Sequence, residues 1–259
     1  MNSYAAPDFS LKGKLALITG STQGLGWTIA QAYAASGARV IINGRDSDRV
    51  ARAVKIVENQ GHSAYSYVQD IGRLKDQEAA FEKLCQEVGT PDIIVNNVGI
   101  RIRKTLAEAT LDDILELMNV DLIAAVQMSK LAARAMIRSK IKGRLIAITS
   151  IAGELARPGD AIYPIAKQGL SGMIRALAVE YGPCGITSNG IAPGTFATET
   201  NAALASDPIK GPIVIGRNPL GRWAKPDEIS GAAVFLASPS ASYVNGHILV
   251  VDGGFSITF

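Results

Sequence analysis

The rhythm of this sequence limits the folds open to it more than any other feature. Short runs rich in β-branched residues alternate with longer stretches of helical periodicity. KLALITG (14–20), ARVIING (38–44), SAYSYVQD (63–70), DIIVNNVG (92–99), GRLIAITS (143–150), ITSNGIAPG (186–194) and GHILVVDGG (246–254) read as strands with their exits. Helical spacing covers 25–36, 47–60, 74–88, 110–139, 162–181 and 227–237. This alternation predicts a parallel sheet of seven strands with helices on both faces, a doubly wound α/β fold of Rossmann-like type. The strands show little polar alternation, as burial on both faces requires. With no linker or internal repeat in sight, residues 1–259 are expected to form a single domain. Residues 1–10 are expected to be flexible. Weaker periodicity with several Pro and Gly marks 195–225 as an excursion over the sheet edge, where substrate lids are commonly found.

Composition narrows the function. Hydrophobic residues make up 47% of the chain and charged residues 19%, enough apolar material for a large core. The formal net charge of +3, with no Lys/Arg run, argues against a nucleic-acid partner. No apolar run is long enough to cross a membrane, and the start lacks a signal-peptide core. Cys85 and Cys184 stand far apart, with no CxxC and no paired histidines. A metal site is therefore not expected, and a reducing cytoplasm fits.

The first strand runs into TGSTQGLG and then a helix. Gly20, Gly24 and Gly26 are spaced G-x3-G-x-G, which differs from the common G-x-G-x-x-G. The physical consequences are similar. Gly20 permits a tight turn, while Gly24 and Gly26 let the backbone approach a pyrophosphate at the helix N-terminus. Ser21, Thr22 and Gln23 can add hydrogen bonds, and Leu25 lies within the same turn. The bland alternative is a plain glycine-rich turn. The second strand ends INGRD. Dinucleotide folds place an acidic residue there to hold the adenosine ribose. Asn43 and Gly44 occupy those positions and Arg45 follows, which favours NADP over NAD because Arg supplies a forked cation for a 2′-phosphate. Arg45 could equally be a solvated loop charge, and Asp46 could partly neutralise it.

Tyr163 and Lys167 lie four residues apart at the head of an apolar helix and so share one face. Asp160 is placed to cap that helix, and Pro164 fits only its first turn. Ser150 ends the strand GRLIAITS, at the sheet edge where α/β folds bind ligands. Ser150 and Tyr163 are therefore able to meet beside a cofactor held by the first turn.

Taken in order and spacing, TGSTQGLG, Asp70 in VQDI, NNVG (96–99), Asn119 in MNVD, Ser150, YPIAK (163–167) and PGTFAT (193–198) resemble the short-chain dehydrogenase/reductase family over essentially the whole chain. Val98 stands where that family usually has Ala, Asp121 where Asn is frequent, and Gln23 where NADP-preferring members often have Arg. The resemblance implies an oxidoreductase that moves hydride between a nicotinamide and a secondary alcohol or ketone. Tyr163 would exchange the proton. A free phenol holds its proton too firmly for this work at neutral pH, and the Lys167 ammonium would favour the phenolate. Lys167 would also bond the nicotinamide ribose, Ser150 would orient the carbonyl oxygen, and Asn119 would break or tighten its helix locally and hold a water linking Lys167 to solvent. Asp70 and Ile71 would meet the adenine, and Asn97, Val98 and Gly99 the middle of the cofactor. Pro193, Gly194, Thr195 and Thr198 would cover the nicotinamide and pyrophosphate. The family is usually tetrameric, which implies a homotetramer here.

Within the family, GELARPG (153–159), GTFATET (194–200) and GRWAKPDE (221–228) are most similar to gluconate 5-dehydrogenase-type members. A sugar carboxylate needs a cation, and Arg101, Arg103 and Arg157 are the candidates, with Glu154 available to accept from hydroxyls. Surface solvation is the ordinary alternative for each arginine. Two further readings keep the fold: a carbonyl or 3-oxoacyl thioester reductase, and a non-catalytic NADP-binding protein.

Overall fold

The computed structural model describes residues 6–259. Among these, seven strands form one parallel sheet: β1 (Leu15–Ile18), β2 (Arg39–Gly44), β3 (Ala64–Val68), β4 (Ile93–Asn96), β5 (Arg144–Ile148), β6 (Thr187–Pro193) and β7 (Ile248–Val251). Their order is β3-β2-β1-β4-β5-β6-β7. The helices are α1 (Gly24–Ala35), α2 (Ser47–Asn59), α3 (Leu74–Glu87), α4 (Leu111–Met118), α5 (Ala124–Arg138), α6 (Ile162–Tyr181), α7 (Ala202–Ala205), α8 (Lys210–Ile215) and α9 (Ser230–Ala237). The expected doubly wound fold is the observed one.

The pleat explains the uninterrupted apolar strands. In β1, Ala16 and Ile18 face one core together with Ile29 and Tyr33 of α1, Val50 of α2 and Leu236 of α9. Leu15 and Leu17 face the other, with Phe81 of α3 and Met128 of α5. Fully burying such a side chain contributes roughly 1.5–3 kcal/mol. Tyr33 is wholly buried, and its hydroxyl donates to the Ala233 carbonyl at 3.0 Å, which satisfies its one polar atom.

Strand order reverses direction between β1 and β4, which opens a crevice at the carboxyl ends of the strands. The exits of β1, β4 and β5 all reach that edge. Two expectations gain detail. The helical spacing over 110–139 is interrupted by a wide π-helical turn, Asn119–Ile123, at the residue where the family resemblance implies a local change in the helix. Of the segment 1–10, residues 1–5 lie outside the described residues. Residues 6–10 are exposed but make contacts: the Asp8 carbonyl accepts from the Ser240 amide at 3.1 Å, and the Phe9 ring lies 6.4 Å from that of Phe235. The excursion over 195–225 is rooted at both ends. Phe196 is buried and bridges to Ala224, with α7 and α8 in between.

Candidate active site

The glycine turn is built as a cradle. Gly20 and Gly24 adopt φ of +63° and +60°, the left-handed region that a side chain disfavours. A Cβ on Gly26 would sit 2.4 Å from Asn97 Nδ2 and 2.5 Å from the Gly20 carbonyl oxygen, so only glycine fits. Gln23, which precedes α1, makes no capping side-chain hydrogen bond, and the helix has no acid in its first turn. Its free N–H groups and positive dipole end therefore face the crevice. One anion is already there: Glu199 Oε2 accepts from the Gly24 amide at 3.1 Å. This carboxylate stands in for the charge a pyrophosphate would bring, and the site fits a dinucleotide.

Several side chains expected at the cofactor are hydrogen-bonded or packed within the fold. Asn43 is only 1% exposed. Its Oδ1 accepts from the Gly20 amide at 3.0 Å, and its Nδ2 donates to the carbonyls of Tyr67 and Gln69. Ser21 is fully buried and donates to the Ile18 carbonyl at 2.7 Å. The amide and hydroxyl groups of both side chains satisfy buried backbone at the strand exits. Ile71 is likewise buried in the core beside α3. Asn97 Nδ2 donates to the carbonyls of Thr19 and Gly20, which ties β4 to the turn. Val98 packs against Gly20, and Gly194 packs tightly on Asp252. Pro193 ends β6 buried, and Thr195 shares a backbone hydrogen bond with Ala224. Thr198 is half-buried beside Glu199.

Arg45 is exposed at the exit of β2. It lines a 390 Å³ hollow with Val68, Gln69, Asp70, Arg73 and Asp76. Thr22 packs on Gly44 beside it, and Gln23 accepts from Arg49 at 3.4 Å. Asp46 does not neutralise Arg45. It caps α2 by accepting from the amides of Asp48 and Arg49 and pairs with the Arg49 side chain. Those amide hydrogen bonds, Arg49's first, hold its carboxyl below the usual range. Arg73 is a second cation in the hollow that sequence reasoning passed over.

The proton-transfer corner lies at the exits of β4 and β5. Ser150 opens a tight turn, Ile151–Gly153, with Oγ accepting from the Ala152 amide at 3.1 Å. That turn packs on α6 so closely that a Cβ on Gly153 would lie 3.3 Å from the Lys167 carbonyl carbon. Tyr163 occupies the first turn of α6, and Lys167 Nζ lies 5.4 Å from its ring centre. Lys167 is 3% exposed. It donates to the Ile148 carbonyl at 3.4 Å and pairs with Asp121 Oδ2 at 3.2 Å. Asn119 opens the π turn and donates to the Gly72 carbonyl at 2.8 Å. Asp70, which closes its own turn on the Gly72 amide, sits beside it.

The substrate candidates divide. Asp160 does not cap α6. It is 2% exposed and binds Arg101, whose Nε donates at 3.0 Å, and Arg157, at 3.4 Å. The Arg101 guanidinium lies over the Tyr163 ring at 4.5 Å. Arg103 and Glu154 are exposed. Asp160, Asp121 and Glu199 carry charge into the site and were given no such role from sequence. The strongest signal for any of them was Asp121 standing where Asn is frequent.

Architecture and site together define a nucleotide-dependent oxidoreductase. A family model described as enoyl-(acyl carrier protein) reductase matches residues 20–256. The chain belongs to the short-chain dehydrogenase/reductase family. It is 38% identical over 256 residues to a gluconate 5-dehydrogenase of Gluconobacter oxydans, covering 97% of this chain and 98% of that one. It is 37% identical over 253 residues to a 2-dehydro-3-deoxy-D-gluconate 5-dehydrogenase of Formosa agariphila, covering 96% and 95%. A crystal structure of a gluconate 5-dehydrogenase from Burkholderia cenocepacia in complex with NADP and tartrate superposes with a TM-score of 0.93 at 38% identity, covering 97% of this chain and 98% of that one.

Proposed function

We propose that this chain is an NADP-dependent dehydrogenase of a sugar acid, of the gluconate/5-ketogluconate type. The observation that carries the reading is a buried lysine beneath an accessible tyrosine at the sheet edge, next to a glycine cradle already holding a carboxylate. NADP, when bound, supplies or accepts the hydride at the substrate carbon. The cradle amides would hold its pyrophosphate, and Arg45 with Arg73 its 2′-phosphate. Tyr163 gives its proton to the ketone oxygen in reduction and takes it from the alcohol in oxidation. Lys167 steadies the phenolate, Ser150 orients the oxygen, and Asn119 anchors the turn beside them. Arg101 and Arg157 share one carboxylate, so a net positive charge remains for an acidic substrate. The excursion over 195–225 covers the substrate. Cys85 and Cys184 are unpaired, in keeping with a cytoplasmic setting. A 370 Å³ apolar groove lined by Leu122 and Ile123 of the π turn, Val126 of α5 and Met173 of α6 supports assembly into a homotetramer. Among the described residues no helix is long and apolar enough to cross a membrane.

The test is turnover of gluconate with NADP and of 5-ketogluconate with NADPH, beside a 3-oxoacyl thioester, by wild type and Tyr163→Phe. Sugar-acid turnover that falls at least about a hundredfold in the variant is expected. Thioester turnover alone would replace the substrate assignment.

A further inference from the structure

Asp121 has no part in the mechanism above, yet it is the nearest charge to Lys167. The Oδ2–Nζ distance is 3.2 Å, and the two side chains are 0% and 4% exposed. Asp121 Oδ1 is fixed by the Ile100 amide at 2.6 Å, while Oδ2 has no hydrogen-bond donor apart from the ammonium. Gly99 makes the pairing possible. A Cβ there would come within 2.9 Å of Asp121 Oδ2 and 3.1 Å of Lys167 Nζ. The glycine of NNVG therefore leaves room for an ion pair as well as for a ligand.

We propose that Asp121 is a positioning residue of the proton-transfer corner: its carboxylate fixes the Lys167 ammonium and offsets part of its charge as felt by Tyr163. The inference rests on the reading of Tyr163 as the proton donor. A lone ammonium beside a phenol favours the phenolate strongly, and a tightly paired one less so, because the carboxylate opposes the new negative charge. The paired ammonium therefore favours a phenolate at Tyr163 less than an unpaired one would. The other charged groups turned toward this corner are Arg101 over the Tyr163 ring, Asp160 and Arg157 bound to it, and Asp70 beside Asn119. None of these charges is altered by replacing Asp121, and an asparagine there keeps an oxygen for the Ile100 amide. Burial raises the Asp121 carboxyl above its ordinary value, while Lys167 and the Ile100 amide pull it back.

Near-ultraviolet titration of tyrosinate, with the Tyr163→Phe titration subtracted, isolates one phenol among seven tyrosines and needs no substrate. In Asp121→Asn the Tyr163 midpoint is expected to fall by about one pH unit relative to the protein with Asp121. The pH profile of kcat/KM for alcohol oxidation shifts the same way, with KM changed by less than about twofold. A midpoint that stays in place overturns the proposal. So does a rise, because the ammonium would then have depended on Asp121 for its proton. If Asp121→Asn does not fold, Asp121→Ser removes the same charge with less bulk and is read identically. Full turnover by Tyr163→Phe overturns the proposal together with the reading beneath it. An unmoved midpoint alongside an inactive Tyr163→Phe overturns the role of Asp121 alone.

Discussion

The Arg101 guanidinium lies 4.5 Å from the centre of the Tyr163 ring and is anchored there by the buried carboxylate of Asp160. The cation lies on the face of the phenol proposed to move the proton. Arg101→Ala is expected to lower kcat/KM about tenfold, or about 1.4 kcal/mol, within the range of a partly shielded cation–π contact. Arg101→Lys recovers only part of this, because an ammonium cannot fork onto Asp160. Steady-state kinetics of both variants check it, and an undiminished kcat/KM in Arg101→Ala would sink the idea.

Cofactor choice is expected to rest on Arg45 and not on Asn43, whose side chain is spent on buried backbone. Arg45→Ala should weaken NADP binding roughly ten- to hundredfold, the worth of one charge-assisted contact, and leave NAD binding unchanged. Calorimetry with both nucleotides decides the matter. Equal losses for the two would show that Arg45 does not read the 2′-phosphate.

Glu199 occupies the Gly24 amide that a pyrophosphate would need. Binding therefore has to displace an internal anion. Glu199→Gln is expected to tighten NADP binding about two- to fivefold, the scale of one anion at a helix N-terminus. Fluorescence titration measures this, and weaker binding in the variant would mean that Glu199 helps the cofactor instead.

Gly26→Ala forces a methyl group against Asn97 and the Gly20 carbonyl, both held by their own hydrogen bonds. Overpacking of this kind costs about 1–3 kcal/mol. Denaturant unfolding should show that loss together with impaired nucleotide binding. A variant as stable as wild type would show that the turn has slack.

Arg222 grips Glu228 through two hydrogen bonds of 2.6 and 2.7 Å. With the Lys225 amide they bring the carboxyl down from 4.5 to about 2. The folded value lies below the unfolded one, so the stabilisation is complete above the ordinary carboxylate range and fades as pH falls toward about 2. Glu228→Gln should therefore melt slightly below wild type at neutral pH, with the gap closing in acid. A gap that widens in acid contradicts this assignment.

Much of this arrangement was legible because it is local. The glycine turn, the Tyr163–Lys167 face and the strand exits follow from spacing along a few residues. What escaped depends on distant partners. Asp160 stood where a cap belongs, but Arg101 claims it from 59 residues away. Glu199 reaches an amide 175 residues distant. The contacts of Asn43 also escape sequence reading, since an amide that both donates and accepts can satisfy a turn on one side and carbonyls on the other. Periodicity likewise could not reveal the π turn at Asn119, because the apolar pattern runs on through it.

Phe196 and Ala224 meet at one point, so the stretch between them leaves the body of the protein and returns to the same place. A loop pinched at its base can be lengthened, shortened or given a new tip, provided Glu199 at the Gly24 amide and Arg217 at the Thr258 carbonyl are kept. Grafting that stretch from a relative with another preference should change which molecules are accepted while the underlying chemistry continues.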